Sequence, residues 1–369
     1  MYKGKRICIF VQTLSGGGSE RAMLNLMHQF VGREIAVDLV MTRRAGEYLD
    51  LVPKEVTIID LGTGVPRASI GALSNYLKTV QPDAMISSIA NASIVALVAR
   101  RVARVPTKVA VSIQNTLSAE LSGNKGMRHG MINRSVRWFY PMADLIACVS
   151  TGVADDLAEV TGIPREKIDV VYNPVITDSL FERAKEPLDH PWFAEGQPPV
   201  ILSVGRLAPQ KDQTVMIEAF AKLRKRRPCR LLILGQGSER ERLESLIADL
   251  KIGDDVSLPG FAPNPYAYMS RAAAFTLSSR WEGLPTVLIE ALACGTPVVS
   301  TRCPSGPDEI LAEGKYGWLT PMGDSAALAN ALDEALDAKT PPPAESWHPY
   351  RDTVSADRYC SALLGGESR

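Results

Sequence analysis

Two cations stand five residues apart in Gly205-Arg206-Leu207-Ala208-Pro209-Gln210-Lys211, directly after the apolar run Val200–Val204. Arginine offers a planar fork of N–H donors and lysine a compact charge, a pairing suited to the oxygens of a diphosphate. Gly205 carries no side chain to hold a ligand off the backbone. Charge alone would equally suit two solvated surface side chains. The place after a strand and a glycine, ahead of a helix, favours ligand binding.

Two carboxylates frame the segment Glu282-Gly283-Leu284-Pro285-Thr286-Val287-Leu288-Ile289-Glu290. Pro285 and Thr286 suit the first positions of a helix. Glu282 then lies in the preceding loop, and Glu290 lies more than one turn into the helix. A carboxylate among apolar residues such as Val287 to Cys294 is costly without partners, and ribose hydroxyls are such partners. The alternative is a neighbouring arginine or backbone N–H. Further glycine turns follow apolar runs at Ser15-Gly16-Gly17-Gly18-Ser19, Leu234-Gly235-Gln236-Gly237 and Ser305-Gly306-Pro307. Each lets a backbone approach a ligand ahead of a helix N-terminus, and each alone is equally a tight turn. Ser19 is a candidate helix cap. Phe261, after Gly260, would lie near a base or in the core.

These residues need elements to hold them at one edge. Short apolar runs at Ile7–Val11, Ala36–Met41, Ala84–Ser88, Lys108–Ser112, Leu145–Val149 and Asp169–Val171 alternate with helical periodicity at residues 20–30, 70–79, 92–102 and 153–161. The alternation resumes at Val200–Val204, Arg230–Leu234, Val256–Leu258, Ala274–Leu277 and Pro297–Ser300, with helices over 214–224, 240–249 and 286–293. Such alternation predicts an α/β chain with parallel sheets covered on both faces. The length of 369 residues exceeds what one core supports. The prediction is two doubly wound, Rossmann-like domains facing across a cleft: an N-terminal domain over 1–173, a linker over 174–199 and a C-terminal domain over 200–340. A tail over 341–369 is expected to pack back on the N-terminal domain.

Composition narrows the class. Lysine plus arginine equals aspartate plus glutamate at 41 each, a balance that by itself says nothing about partners; no nucleic-acid partner is expected. The halves differ, with 20 basic and 15 acidic side chains in residues 1–175 against 21 and 26 in the remainder. Most of the basic excess sits in residues 100–140. There Lys125, Arg128, Arg134 and Arg137 alternate with Met127, Met131, Ile132 and Trp138. That pattern suits a helix at an anionic membrane interface or a core-packed helix. The six cysteines are scattered with no ligand spacing, which argues against zinc or a disulfide scaffold and fits a reducing cytosol. No apolar run reaches the roughly 18 residues of a membrane span, and the N-terminal apolar run is too short for a signal peptide.

The motifs resemble the family 4 retaining glycosyltransferases of the GT-B fold. The likeness rests on Gly16-Gly17-Gly18-Ser19-Glu20-Arg21, Asn173-Pro174, Gly205-Arg206 with Lys211-Asp212, Gly235 and Gly237, Gly260-Phe261, and Glu282-Gly283-Leu284-Pro285 with Glu290. The paired glutamates and the Gly-Arg…Lys motif are the specific parts. The resemblance implies that Arg206 and Lys211 bind the donor diphosphate and stabilise its charge as it leaves. It implies that Glu290 holds the ribose and that Glu282 contacts the transferred sugar or the β-phosphate region. Gly283, Leu284, Pro285 and Thr286 would line the phosphate and sugar, beside Gly205 and Gly235, and Phe261 would mark the base. Gly17 and Gly18 would approach the donor from the other domain.

By the same resemblance the donor is a nucleotide-sugar, a UDP-sugar in expectation, and the transferred group a hexose. No metal or other cofactor is expected, since two cations and helix N–H groups meet the leaving charge. The acceptor is a glycan or a lipid-linked sugar, which puts the enzyme in the cytoplasm, peripheral on the cytoplasmic face of the membrane. Where many relatives carry a histidine near the sugar, this chain has Gln114 and Asn115, which would donate hydrogen bonds instead. The alternatives are a nucleotide-sugar epimerase or hydrolase of the same fold, or a transferase for a soluble small acceptor. A NAD-dependent dehydrogenase would need a G-x-G-x-x-G turn, and counting from Gly16 its third glycine falls on Arg21.

Overall fold

The computed structural model describes residues 2–15, 17–118, 135–338 and 340–365. The chain divides into two compact units, Met1–Val175 with Tyr350–Arg369, and Ile176–Pro349.

The first unit carries, in chain order, β1 (Arg6–Val11), α1 (Gly18–Gly32), β2 (Ala36–Met41), β3 (Thr57–Asp60), α2 (Ile70–Val80), β4 (Ala84–Ser88), α3 (Ala90–Ala103), β5 (Lys108–Ile113), β6 (Leu145–Cys148), α4 (Thr151–Thr161) and β7 (Asp169–Val170). Its strands form one parallel seven-stranded sheet in the order β3-β2-β1-β4-β5-β6-β7. Both faces are covered, so the strands read as continuous apolar runs. Ile7, Ile9, Leu39, Ile86 and Ala110 meet Leu26, Met27 and Phe30 of α1 in the core.

The second unit carries α5 (Asp178–Ala184), β8 (Val200–Val204), α6 (Gln213–Arg224), β9 (Arg230–Leu234), α7 (Arg240–Asp249), β10 (Val256–Gly260), α8 (Pro265–Met269), β11 (Ala274–Leu277), α9 (Thr286–Ala293), β12 (Val298–Thr301), α10 (Pro307–Ile310), β13 (Trp318–Thr320) and α11 (Ser325–Leu336). Its six parallel strands run in the order β10-β9-β8-β11-β12-β13. Residues 176–199, expected as linker, instead fold as part of this unit. The α5 helix packs on α8, held by Asn264 Nδ2 donating to the Arg183 carbonyl at 2.8 Å. The rings of His190 and Phe193 lie against Tyr268, with centroids 6.0 and 5.9 Å away.

The last helix, α12 (Asp352–Leu364), belongs to the first unit. It buries Ala356, Tyr359, Cys360 and Leu363 in the same core as α1. Gln29 Nε2 donates to Asp352 Oδ2 at 2.7 Å, and Ser355 Oγ to the Tyr172 carbonyl at 2.8 Å. Residues 340–349 remain in the second unit, where Trp347 lies 5.4 Å from the Phe181 ring.

Candidate active site

In each sheet the strand order reverses beside the first strand, between β1 and β4 and between β8 and β11. The chain leaves these neighbours towards opposite faces, so a crevice opens at their carboxyl ends. In the second unit the two loops at that crevice are residues 205–212, after β8, and 278–285, after β11.

Lys211 and Glu282 meet there. Lys211 Nζ is 2.6 Å from Glu282 Oε1, with side chains 17% and 8% exposed. The same oxygen accepts a hydrogen bond from the fully buried Ser279 hydroxyl at 2.5 Å. A carboxylate so deeply placed is costly to bury without such partners. The stem of Lys211 lies over Gly205, its Cε 3.6 Å from where a Cβ would stand. The glycine is thus the floor on which the lysine rests.

The two loops are stapled along their length. Ser278 Oγ donates to the Lys211 carbonyl at 2.7 Å, and Arg280 N to the Gln210 carbonyl at 2.9 Å. Gln210 Nε2 donates to the Trp281 carbonyl at 2.8 Å, and Arg280 Nε to Asp212 Oδ2 at 2.7 Å. Asp212 is buried and left-handed, φ +45°. Sequence reasoning singled out none of Gln210, Asp212, Ser279 or Arg280 for a role. Their only signal is adjacency to Lys211 and Glu282, because partners across a crevice are set by strand order.

Arg206, in contrast, is exposed, and its guanidinium has no hydrogen-bond or ion partner among the described residues. Helix α9 begins at Thr286, with Pro285 as its N-cap. A helix start leaves its first N–H groups without intrahelical partners and carries partial positive charge. Ser305 Oγ donates to the Gly283 carbonyl at 2.9 Å from behind. Gly306, at φ +95°, allows that approach, since a Cβ there would lie 2.4 Å from Pro285 Cδ. Leu284 is buried at 7% exposure and anchors the loop. Glu290 is half-buried and accepts from Tyr266 Oη at 3.3 Å. A phenol is thus one partner of Glu290, where the sequence suggests ribose hydroxyls, a neighbouring arginine or a backbone N–H.

The glycines after β9 have a packing reason of their own. A Cβ on Gly235 would lie 1.9 Å from the Gly205 carbonyl oxygen, and one on Gly237 2.1 Å from that of Leu207. The loop backbones after β8 and β9 lie against each other, joined by Leu207 N donating to the Gln236 carbonyl at 2.9 Å. That contact accounts for Gly235 without a ligand. Phe261 is 73% exposed, which excludes a core role. It lines a cavity of about 350 Å³ with Leu234, Pro259, Gly260, Asn264 and Tyr268.

At the crevice of the first unit, Gly17 is the N-cap of α1 in extended conformation. Ser19 does not cap that helix; its hydroxyl donates to Ser88 Oγ at 3.1 Å, tying α1 to the end of β4. Gly18 is exposed, with nothing within 4 Å of a Cβ built there. Gln114 accepts from Asn173 Nδ2 and donates to Ser112 Oγ, both at 2.8 Å. Both ends of its amide are therefore occupied, while Asn115 is exposed. Arg137 and Trp138 are also exposed, Trp138 at 74%, although Val136 between them and the end of β5 is buried. Trp138 lines a surface hollow of about 440 Å³ with Ser135, Phe139 and Met142. Lys125, Arg128 and Arg134 lie outside the described residues. Among the described residues no three histidine, cysteine or carboxylate side chains gather as a ligand set, and no helix is long and apolar enough to cross a membrane.

Residues 16–179 match the profile described as Glycosyltransferase Family 4, and residues 185–350 that described as Glycosyl transferases group 1. One relative is the N-acetylgalactosamine-N,N'-diacetylbacillosaminyl-diphospho-undecaprenol 4-alpha-N-acetylgalactosaminyltransferase of Campylobacter jejuni, 26% identical over 90% of each chain. The solved structure of the apo lipopolysaccharide outer core galactosyltransferase WaaB covers 97% of this chain and 99% of its own, at 21% identity and TM-score 0.73. HepE of Anabaena, solved in complex with UDP, covers 97% and 95% at 19% identity and TM-score 0.71. The chain belongs to the family 4 glycosyltransferases and has the two-domain GT-B fold.

Proposed function

We propose that this chain is a retaining hexosyltransferase that takes a sugar from a UDP-sugar and passes it to a lipid-linked glycan. The observation that carries the donor half is the Lys211–Glu282 pair at the β8/β11 crevice, with Arg206 on the same loop, its guanidinium without a partner among the described residues. Lys211 and Arg206 face the diphosphate, the start of α9 adds N–H groups, and Glu290 accepts from the ribose hydroxyls. Glu282 holds the lysine and borders the transferred sugar. The cavity beside Phe261 takes the base. As the bond from the sugar's anomeric carbon to the phosphate oxygen breaks, the charge growing on that oxygen is met by fixed cations. The acceptor hydroxyl enters on the same face and its proton passes to the leaving phosphate, so no separate base is required. No metal is invoked, because the two cations supply the charge.

The acceptor half draws on the name of the Campylobacter jejuni relative, which specifies a diphospho-undecaprenol acceptor. It also draws on the exposed Arg101, Arg104, Arg137 and Trp138 in the first unit. Exposed basic side chains and an exposed aromatic suit an anionic bilayer surface, and we place the enzyme on the cytoplasmic face.

Transfer from UDP-, GDP- and ADP-hexoses to polyprenyl-diphosphate-linked sugars, assayed in EDTA, tests this reading. Transfer from a UDP-sugar with an α-linked product from an α-linked donor is expected. An inverted product overturns retention, and activity lost in EDTA but restored by Mg²⁺ or Mn²⁺ overturns the metal-free donor site. Cosedimentation with anionic vesicles tests the membrane half: Trp138→Ser with Arg137→Glu is expected to stay in the supernatant. Equal pelleting of that variant contradicts it.

A further inference from the structure

The staple between the two crevice loops has a member that touches no proposed ligand. Arg280 is 60% exposed, yet its Nε is 2.7 Å from Asp212 Oδ2, and Asp212 is 7% exposed. Its backbone N–H holds the Gln210 carbonyl at 2.9 Å. Asp212 directly follows Lys211 in the chain, and its φ of +45° is left-handed, a region that aspartate enters more readily than most residues. Freed of Arg280, that buried carboxylate would be an uncompensated charge one residue from the Lys211 ammonium.

From this geometry we infer that Arg280 is a positioning residue: by occupying Asp212 and gripping Gln210, it fixes the turn that aims Lys211 at the donor diphosphate. Three constraints converge on Lys211. Gly205 lies under its stem, Ser278 holds its carbonyl, and Glu282 holds its ammonium. None of these fixes the turn beyond it. The Asp212–Arg280 pair does, and it keeps Asp212 from competing with Glu282 for the lysine. The inference rests on the donor reading, because a lysine needs aiming only if it has a target.

UDP and UMP differ by the phosphate that Lys211 is read to contact, so titrating both separates a loss of aim from general damage. Arg280→Ala is expected to weaken UDP at least tenfold and UMP less than twofold. In a Lys211→Ala background, Arg280→Ala should change UDP affinity less than twofold, since the residue acts only through the lysine. Arg280→Lys should recover part of the loss by keeping a cation near Asp212. Asp212→Asn, which tolerates the left-handed backbone, should reproduce the UDP-selective loss and serves if Arg280→Ala does not fold. Equal weakening of UDP and UMP, or an undiminished effect in the Lys211→Ala background, overturns the positioning role and leaves the donor reading standing. If Lys211→Ala itself binds UDP like the parent protein, the donor reading falls and this inference with it.

Discussion

Lys211 Nζ and Glu282 Oε1 lie 2.6 Å apart although 71 residues separate them in the chain. The sheet order brings them together by placing β8 beside β11, so each sits at the carboxyl end of one of two adjacent strands. The pair is largely out of water, which raises what each partner stands to lose if the other is removed.

Lys211→Ala is therefore expected to act twice. It leaves Glu282 with Ser279 as its remaining side-chain partner among the described residues, costing about 1–3 kcal/mol of stability, and it removes a charged contact to the diphosphate, cutting kcat/KM at least 100-fold. Glu282→Gln keeps an acceptor for both Lys211 and Ser279 but removes the charge facing the lysine, so it should lower the melting temperature less than Glu282→Ala while losing activity. Thermal melts alongside steady-state kinetics check both. A Lys211→Ala enzyme with normal turnover would refute the assignment.

Glycines separate into two kinds. Gly237→Ala places a methyl 2.1 Å from the Leu207 carbonyl oxygen. Overpacking of that kind costs about 1–3 kcal/mol, which lowers the melting temperature by several degrees. Gly18→Ala meets nothing within 4 Å and should melt like the parent protein. If Gly18 gives its backbone to a ligand, that variant still loses at least tenfold in turnover. Unchanged turnover would assign Gly18 to the turn alone.

Much of this arrangement was legible beforehand, because strands covered on both faces announce themselves as apolar runs. Ala36–Met41 and Ala84–Ser88 match the observed β2 and β4, and the helices over 240–249 and 286–293 match α7 and α9. Strands β3 and β13 escaped notice. Thr57–Asp60 is partly exposed at the sheet edge, and Trp318–Thr320 spans three residues, so neither makes a strong apolar signal. The α12 helix was expected only as a docking tail, since its apolar residues complete a core formed about 330 residues earlier. Arg206, Lys211 and Glu282 could be picked out by residue type and spacing. Asp212 and Arg280 could not, because an ion pair across a crevice depends on which strands are neighbours.

The cysteines give a pH-dependent prediction. Burial pushes the thiols of Cys148, Cys294 and Cys303 up to about 12 and those of Cys229 and Cys360 up to about 11; the Glu282 charge adds to the effect at Cys303. The thiolate is the reactive form, so a raised value keeps each thiol protonated and inert well above neutral pH. At pH 8 the folded protein should react with fewer than one equivalent of a thiol reagent, rising to six in denaturant. Rapid labelling of Cys303 in the folded state would contradict the packing behind Glu282.

The most direct test of the donor site is calorimetric titration of UDP in EDTA, comparing the parent protein with Arg206→Ala. Arg206 is exposed and its guanidinium meets no partner among the described residues, so removing that side chain takes nothing from the fold. A charge-assisted contact contributes about 1.5–3 kcal/mol. Metal-free binding that weakens about 10- to 100-fold in the variant, with an unchanged melting temperature, is the predicted result. Equal affinity of the two proteins for UDP, or no binding without a divalent metal, would contradict the account.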